Sequence, residues 1–141
     1  MTGRVIVDTN LWVAFLRRTT VTETIRPLIA DDRVLVIGPI AREVFAGLVY
    51  PNQIPAASRV LSAARWIDTS LADWTLATEV RTSLTSGPLT SRAGRRSLPS
   101  LTDCVLTVIA ERTGPAVWSS DTEDIQRAIS GLGRSVAIFE P

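Results

Sequence analysis

Short apolar runs alternate with segments of helical periodicity along this chain, and few folds accept that order. Residues 4–7, 34–37 and 116–118 read as buried strands. Leu11, Trp12, Phe15 and Leu16 follow the first at helical spacing. Ile40, Val44 and Leu48 follow the second, behind the turn Gly38-Pro39, which sets a Pro at the helix start. Further helices are predicted over residues 22–31, where Pro27 disturbs the pattern, over 55–64 and over 122–129. Ser70 and Asp73 have capping-box spacing for a helix reaching about Ser83. Residues 101–112 are apolar around most of the helix circumference, which predicts a central helix, and Gly114-Pro115 ends it. Trp66-Ile67 and residues 136–139 complete the strand candidates, and residues 86–99, rich in Pro, Gly and Arg, read as a loop. The alternation predicts an α/β fold of three layers: a mostly parallel central sheet with helices on both faces, formed by residues 1–141 as one domain.

Composition narrows the chemistry. With 45% hydrophobic and 21% charged residues the chain is globular rather than disordered. It has no apolar run of membrane-spanning length and no signal-peptide pattern at its start, and its single cysteine, Cys104, excludes an internal disulfide. These features lead to the expectation of a cytoplasmic protein with no membrane association. The net charge of +1 implies no strong overall attraction to nucleic acid. All 15 basic residues are Arg, for which codon bias is the simplest cause. The chain has no His, which removes histidine triads, histidine acid–base catalysis and ordinary zinc sites. Any catalysis must use carboxylates, Arg, hydroxyls or a metal.

In a parallel α/β sheet the carboxyl ends of the strands gather along one edge, where ligands bind. Four acids fall at such strand–helix junctions or in a helix's first turns: Asp8, Glu43, Asp103 and Asp121. Each has a plainer reading. Asp8, in Val7-Asp8-Thr9-Asn10, suits a helix cap; Glu43 suits the positive end of a helix dipole. Asp103 stands three residues after Ser100, as in a capping box, but shares its face with Leu106, Thr107 and Ala110. Asp121 could cap a helix with Asp124 at its third position; Asp124 is alternatively a further ligand or the group that orients a bound water. Gly47, one turn beyond Glu43, leaves space on that face at a helix cost of ~1 kcal/mol. Four carboxylates in one crevice repel unless protons or a cation neutralise them. Hard oxygen donors point to Mg²⁺, with Mn²⁺ as substitute.

Residues 7–13 (VDTNLWV), 42–47 (REVFAG), 101–114 (LTDCVLTVIAERTG) and 119–125 (SSDTEDI) together resemble the ordered acidic motifs of PIN-domain nucleases, and over the whole length the VapC-type toxins of bacterial toxin–antitoxin pairs. The resemblance implies a PIN-like fold and a Mg²⁺-dependent endoribonuclease with RNA as substrate. It also implies a cognate antitoxin as inhibitor and a homodimer, for which the apolar helices between Ile40 and Ala64 are interface candidates. Asp8, Glu43, Asp103 and Asp121 are then the catalytic and metal-binding acids, with Asn10 and Ser119 in the supporting polar positions and Asp124 as the extra acid. Asn10 and Ser119 stand where Ser and Thr are frequent in the family.

A metal-bound water attacking phosphorus in line would leave 5′-phosphate and 3′-hydroxyl ends. Arg92, Arg95 and Arg96 either contact the RNA backbone or belong to a solvated loop. The four Trp residues are core or interface candidates, with stacking on an RNA base as the alternative role. Cys104 reads as a small buried residue. A phosphoryl-receiving domain would need a late Lys, and a haloacid-dehalogenase-like phosphatase a second Asp where Asn10 stands, so both classes fail. The alternative that survives is a non-catalytic α/β binding or regulatory module whose acids only cap helices.

Overall fold

The computed structural model describes residues 3–86 and 98–141. Four short strands form one parallel sheet in the order β3-β2-β1-β4: β1 (Val5–Val7), β2 (Val34–Ile37), β3 (Arg65–Ile67) and β4 (Ala116–Trp118). Val5 pairs with Val34 on one side and Ala116 on the other, so β1 is central. All residues of β1 and β2 are buried, as continuous apolar strands between two helical layers must be.

The connections fix which helices lie on which face. β1 leads through α1 (Thr9–Leu16) and α2 (Val21–Ala30) to β2, and β2 through α3 (Gly38–Ala46) and α4 (Gln53–Ala63) to β3. Both crossovers step the same way across the sheet, and right-handed crossovers place these helices on one face. α5 (Leu71–Ser83) and α6 (Leu101–Thr113) then carry the chain back past β1 to β4, on the opposite face, where α7 (Thr122–Leu132) joins them. The direction of winding reverses between β1 and β4, which makes that crevice the switch point of the sheet.

Helix limits follow local chemistry. Ser70 and Asp73 form a reciprocal capping box at the start of α5, and Ser100 and Asp103 form another at α6. Residues 104–110 of α6 are all buried, which confirms the central helix. It ends where Gly114 takes φ 93° and returns its N–H to the Ala110 carbonyl at 2.8 Å, a left-handed conformation that favours Gly. Pro27 lies within α2 without breaking it.

Three expectations need correction. Residues 136–139 form no full strand: Ile138 makes a single parallel bridge to Val117, held by Val117 N–H to Ala137 O and Phe139 N–H to Val117 O. The segment runs partly exposed beside the edge strand β4 and meets it at that one bridge. α3 ends at Ala46, which leaves Leu48 outside its stripe. Gly47 is the C-cap of α3 rather than an interior residue, and its hydrogen bonds to Glu43 O and Val44 O close the helix, so the interior cost of Gly does not apply.

The α5–α6 pair is locked by Asp73, only 3% exposed. It accepts from Arg112 Nε at 2.9 Å and Nη2 at 2.8 Å on α6, and from Ser70 N–H at 3.0 Å. Burial pushes its carboxyl up, but the bonds from Arg112 and Ser70 and the Arg112 charge together outweigh burial and hold it below the usual range. A depressed acid stabilises the fold above its unfolded value and loses that contribution as pH falls through the folded value. We expect Asp73→Asn to cost about 2 kcal/mol in urea unfolding at pH 7, with the deficit shrinking at pH 3; an equal deficit at both pH values would contradict this.

Candidate active site

Asp8 leaves the end of β1 and enters the β1–β4 crevice. Its N–H donates to Trp118 O of β4 at 2.9 Å, which ties the turn to the neighbouring strand. Its carboxylate is 7% exposed and fully engaged: Oδ1 accepts from Thr9 N–H at 2.8 Å and Oδ2 from Ser119 Oγ at 2.7 Å. Ser119 is itself buried and accepts from Asp121 N–H at 3.0 Å, so the loop after β4 is shaped around the serine hydroxyl. Asp121 occupies the cap position of α7 without a side-chain capping bond, so the plain capping reading of this residue does not hold.

Glu43 approaches from α3. Thr9 Oγ1 donates to Glu43 Oε2 at 2.7 Å, across 34 positions of sequence. Sequence reasoning missed Thr9; the only hint was a hydroxyl between Asp8 and Asn10, with nothing to name its partner. Asp103 comes from the first turn of α6 on the opposite face. It accepts from Ser100 N–H at 3.2 Å, so its capping role is real, and the same carboxyl lies in the field of Asp8. Asp124, in the first turn of α7, receives a 3.3 Å contact from Arg127 Nη1. Asn10 is exposed, and no hydrogen bond links it to the acids among the described residues. Arg92, Arg95 and Arg96 lie outside the described residues.

The electrostatics record the crowding. Burial is the largest influence on Asp8 and raises its pKa; the bonds from Ser119 and Thr9 oppose it, and the charges of Glu43 and Asp121 raise it further. Asp103 is pushed up to about 6, first by burial and then by the charge of Asp8. Asp124 is raised by burial and then by Asp121. Cys104, beside Asp103, is pushed up to about 11 by burial and then by the Asp103 charge, so it stays a protonated thiol at neutral pH.

Among the described residues no ion pair reaches Asp8, Glu43, Asp103 or Asp121. Nor do any three acidic side chains stand close enough, in this conformation, to hold one ion. The carboxylates therefore share a crevice and one another's fields without yet meeting at a point. The donor set, all carboxylate and hydroxyl oxygen, fits a hard divalent cation, and no ion pair among the described residues compensates these charges.

A doubly wound parallel sheet with acids gathered at its switch point defines a class of small α/β proteins. The PIN-domain family model matches residues 5–130, and the chain belongs to that family. No sequence among the curated proteins matches it. Among solved structures it is similar to FitAcB from Neisseria gonorrhoeae, at 16% identity and a TM-score of 0.66, over 96% of this chain and 96% of that one. It is also similar to FitAB bound to the IR36 DNA fragment, at 17% identity and a TM-score of 0.65, over 96% and 93%. VapBC2 from Rickettsia felis, solved bound to a DNA fragment from its promoter, aligns at 15% identity and a TM-score of 0.64, over 84% and 89%. At these identities the likeness is one of fold.

Asp103 gives a test of the crowding itself. A raised acid makes the folded state bind its proton more tightly than the unfolded chain, so the stability loss grows as pH rises from the ordinary value of 3.8 to about 6 and is complete above it. Asparagine keeps the acceptor for Ser100 N–H and removes the charge. In EDTA we expect Asp103→Asn to melt above the wild type at pH 8, with the gap narrowing below about pH 6 and closing only near pH 3.8; a variant less stable at pH 8 would contradict the placement.

Proposed function

We propose that this chain is a metal-dependent endoribonuclease of the toxin type, restrained by a cognate antitoxin. One observation carries the reading: a buried carboxylate, Asp8, at the switch point of the sheet, electrostatically coupled to three further acids that form no ion pair among the described residues. A protein that used these acids only as caps would gain nothing by burying Asp8 among them. A charge cluster of this kind is costly unless a ligand neutralises it.

In this reading Asp8, Glu43, Asp103 and Asp121 are the metal ligands and catalytic acids, and Asp124 is an outer acid steadied by Arg127. Mg²⁺, or Mn²⁺ in its place, supplies a bound water of lowered pKa and positive charge opposite the phosphate. The residues of the chain do the positioning. Ser119 fixes one Asp8 oxygen and Thr9 N–H the other, so Asp8 presents a single orientation. The Thr9 hydroxyl holds Glu43 toward the same crevice, and Ser119 holds the Asp121 backbone through its N–H. Such supporting hydroxyls typically matter 10–100-fold in metal affinity or rate.

The VapC resemblance supports the RNA substrate, the antitoxin and a homodimer. The VapBC2 and Fit structures, solved with DNA in two cases, support a toxin-type partnership by likeness of fold. Phe45, Val49, Tyr50 and Ile54, exposed at the α3–α4 corner, offer apolar surface for pairing or for an antitoxin segment.

We expect purified protein to cleave RNA with Mg²⁺ or Mn²⁺ but not in excess EDTA, leaving 5′-phosphate and 3′-hydroxyl ends. Asp8→Asn should lose roughly a hundredfold or more, and Ser119→Ala about tenfold or more, when cleavage is followed with a labelled RNA. Full activity in EDTA or in Asp8→Asn would end the proposal. Mn²⁺ should raise the melting temperature of the wild type by mass action and leave Asp8→Asn unmoved. No shift at millimolar Mn²⁺ would favour the non-catalytic binding module instead.

A further inference from the structure

A second concavity lies on the same carboxyl edge of the sheet, beyond the acids and over β2 and β3, and its composition differs from theirs. It encloses about 480 Å³, within the ~300–1,000 Å³ of small-molecule sites. Its walls carry Arg42, Trp66, Thr69, Trp74 and Thr102. Arg42 directly precedes Glu43 on α3, and Thr102 directly precedes Asp103 on α6, so the pocket shares two of its walls with the acidic crevice.

Three features here lack a structural purpose. Trp66 is 49% exposed on an edge strand, yet its indole is fixed, because Nε1–H donates to Leu61 O at 3.0 Å. An exposed indole with its only donor already spent presents a face and no polar atom. Arg42 is exposed and makes no ion pair among the described residues. Thr69 Oγ1 is buried behind the pocket wall with no hydrogen-bond partner among the described residues, which ordinarily costs stability.

We propose that this pocket receives a nucleotide of single-stranded RNA next to the scissile phosphate, with its base stacked on Trp66 and its phosphate on Arg42. An aromatic platform beside an unpaired guanidinium is the pairing that single strands require, and stacking accepts any base. The Thr102 side chain, on the same wall, is then placed to meet the sugar or the base edge. Asp68 also lines the pocket and would repel a free polyanion, which favours a ligand that turns its base toward that wall. A duplex is excluded, since its bases are not free to enter. The pocket would set the strand's register on the acids and so help choose which bond is cut. This inference rests on the nuclease reading of the acidic crevice.

The test separates the two. In the cleavage-silent Asp8→Asn/Asp103→Asn protein, in EDTA, binding of a fluorescein-labelled 12-nucleotide single-stranded RNA is followed by anisotropy. Trp66→Leu and Arg42→Ala in that background should each weaken binding by roughly fivefold or more, Trp66→Phe should restore it to within about twofold, and a duplex of the same sequence should bind equally weakly to all. Trp66 is half-exposed, so the variants should melt as their parent does, and a thermal scan checks it. Affinity unchanged by Trp66→Leu and Arg42→Ala, or lost alike in Trp66→Leu and Trp66→Phe, overturns the pocket while metal-dependent cleavage by wild type would still stand. Binding that needs Trp66, in a protein whose wild type never cleaves, keeps the pocket and removes the nuclease. A Trp66→Leu change in sedimentation with no change in RNA affinity would make this surface a protein contact and overturn the proposal.

Discussion

The repulsion among carboxylates at the end of β1 is the constraint around which the rest of this protein is arranged. Asp8 is buried, so its charge is poorly screened, and it sits in the field of Glu43, Asp121 and Asp103. Arg is the only basic residue type in the chain, and among the described residues it pairs with Asp32, Asp73, Glu111, Glu123 and Asp124, away from those four acids. The hydroxyls of Thr9 and Ser119 are what the fold offers in place of cations. Hydroxyls orient a carboxylate without cancelling its charge. The crevice therefore keeps its appetite for positive charge, which a structural ion pair would have removed.

Topology brings these groups together. β1 is an inner strand, with β2 on one side and β4 on the other. Because the winding reverses there, α3 reaches the crevice from one face and α6 from the other. One acid arrives from each of four elements that are far apart in sequence. The same geometry places the Arg42–Trp66 pocket within one residue of two of those acids, so a strand lying along this edge would meet a platform and the acids in succession.

Much of this was legible in the sequence, because the fold's main decisions are local. The buried strands, both capping boxes and the Gly114 stop depend on neighbouring residues, and Asp8, Asp103 and Asp121 could be picked out by their places after strands or in a first turn, whereas Glu43 lies in the second turn of α3 rather than at its start. The rest depends on contacts that sequence separation hides. The Thr9–Glu43 bond joins the helix after β1 to the helix after β2, and nothing near Thr9 announces it. Residues 136–139 have strand composition, but whether a ladder forms depends on how the returning chain meets β4, and only Ile138 bridges Val117. Asp103 was weighed as either a cap or a site acid; it caps α6 and faces Asp8 at once, because the first turn of a helix can serve both ends. Trp66 looked like any apolar residue at a junction until the sheet order put it on an exposed edge.

If uncompensated carboxylates are what the crevice consists of, a divalent ion must displace the protons that they hold. Calorimetric titration of Mg²⁺ or Mn²⁺ at pH 6, repeated in buffers of different ionisation enthalpy, counts those protons. With Asp103 titrating at about 6, the account predicts release of about half a proton or more per ion at pH 6, falling toward none at pH 8. Binding with no proton release at pH 6, or no binding at either pH, would contradict it.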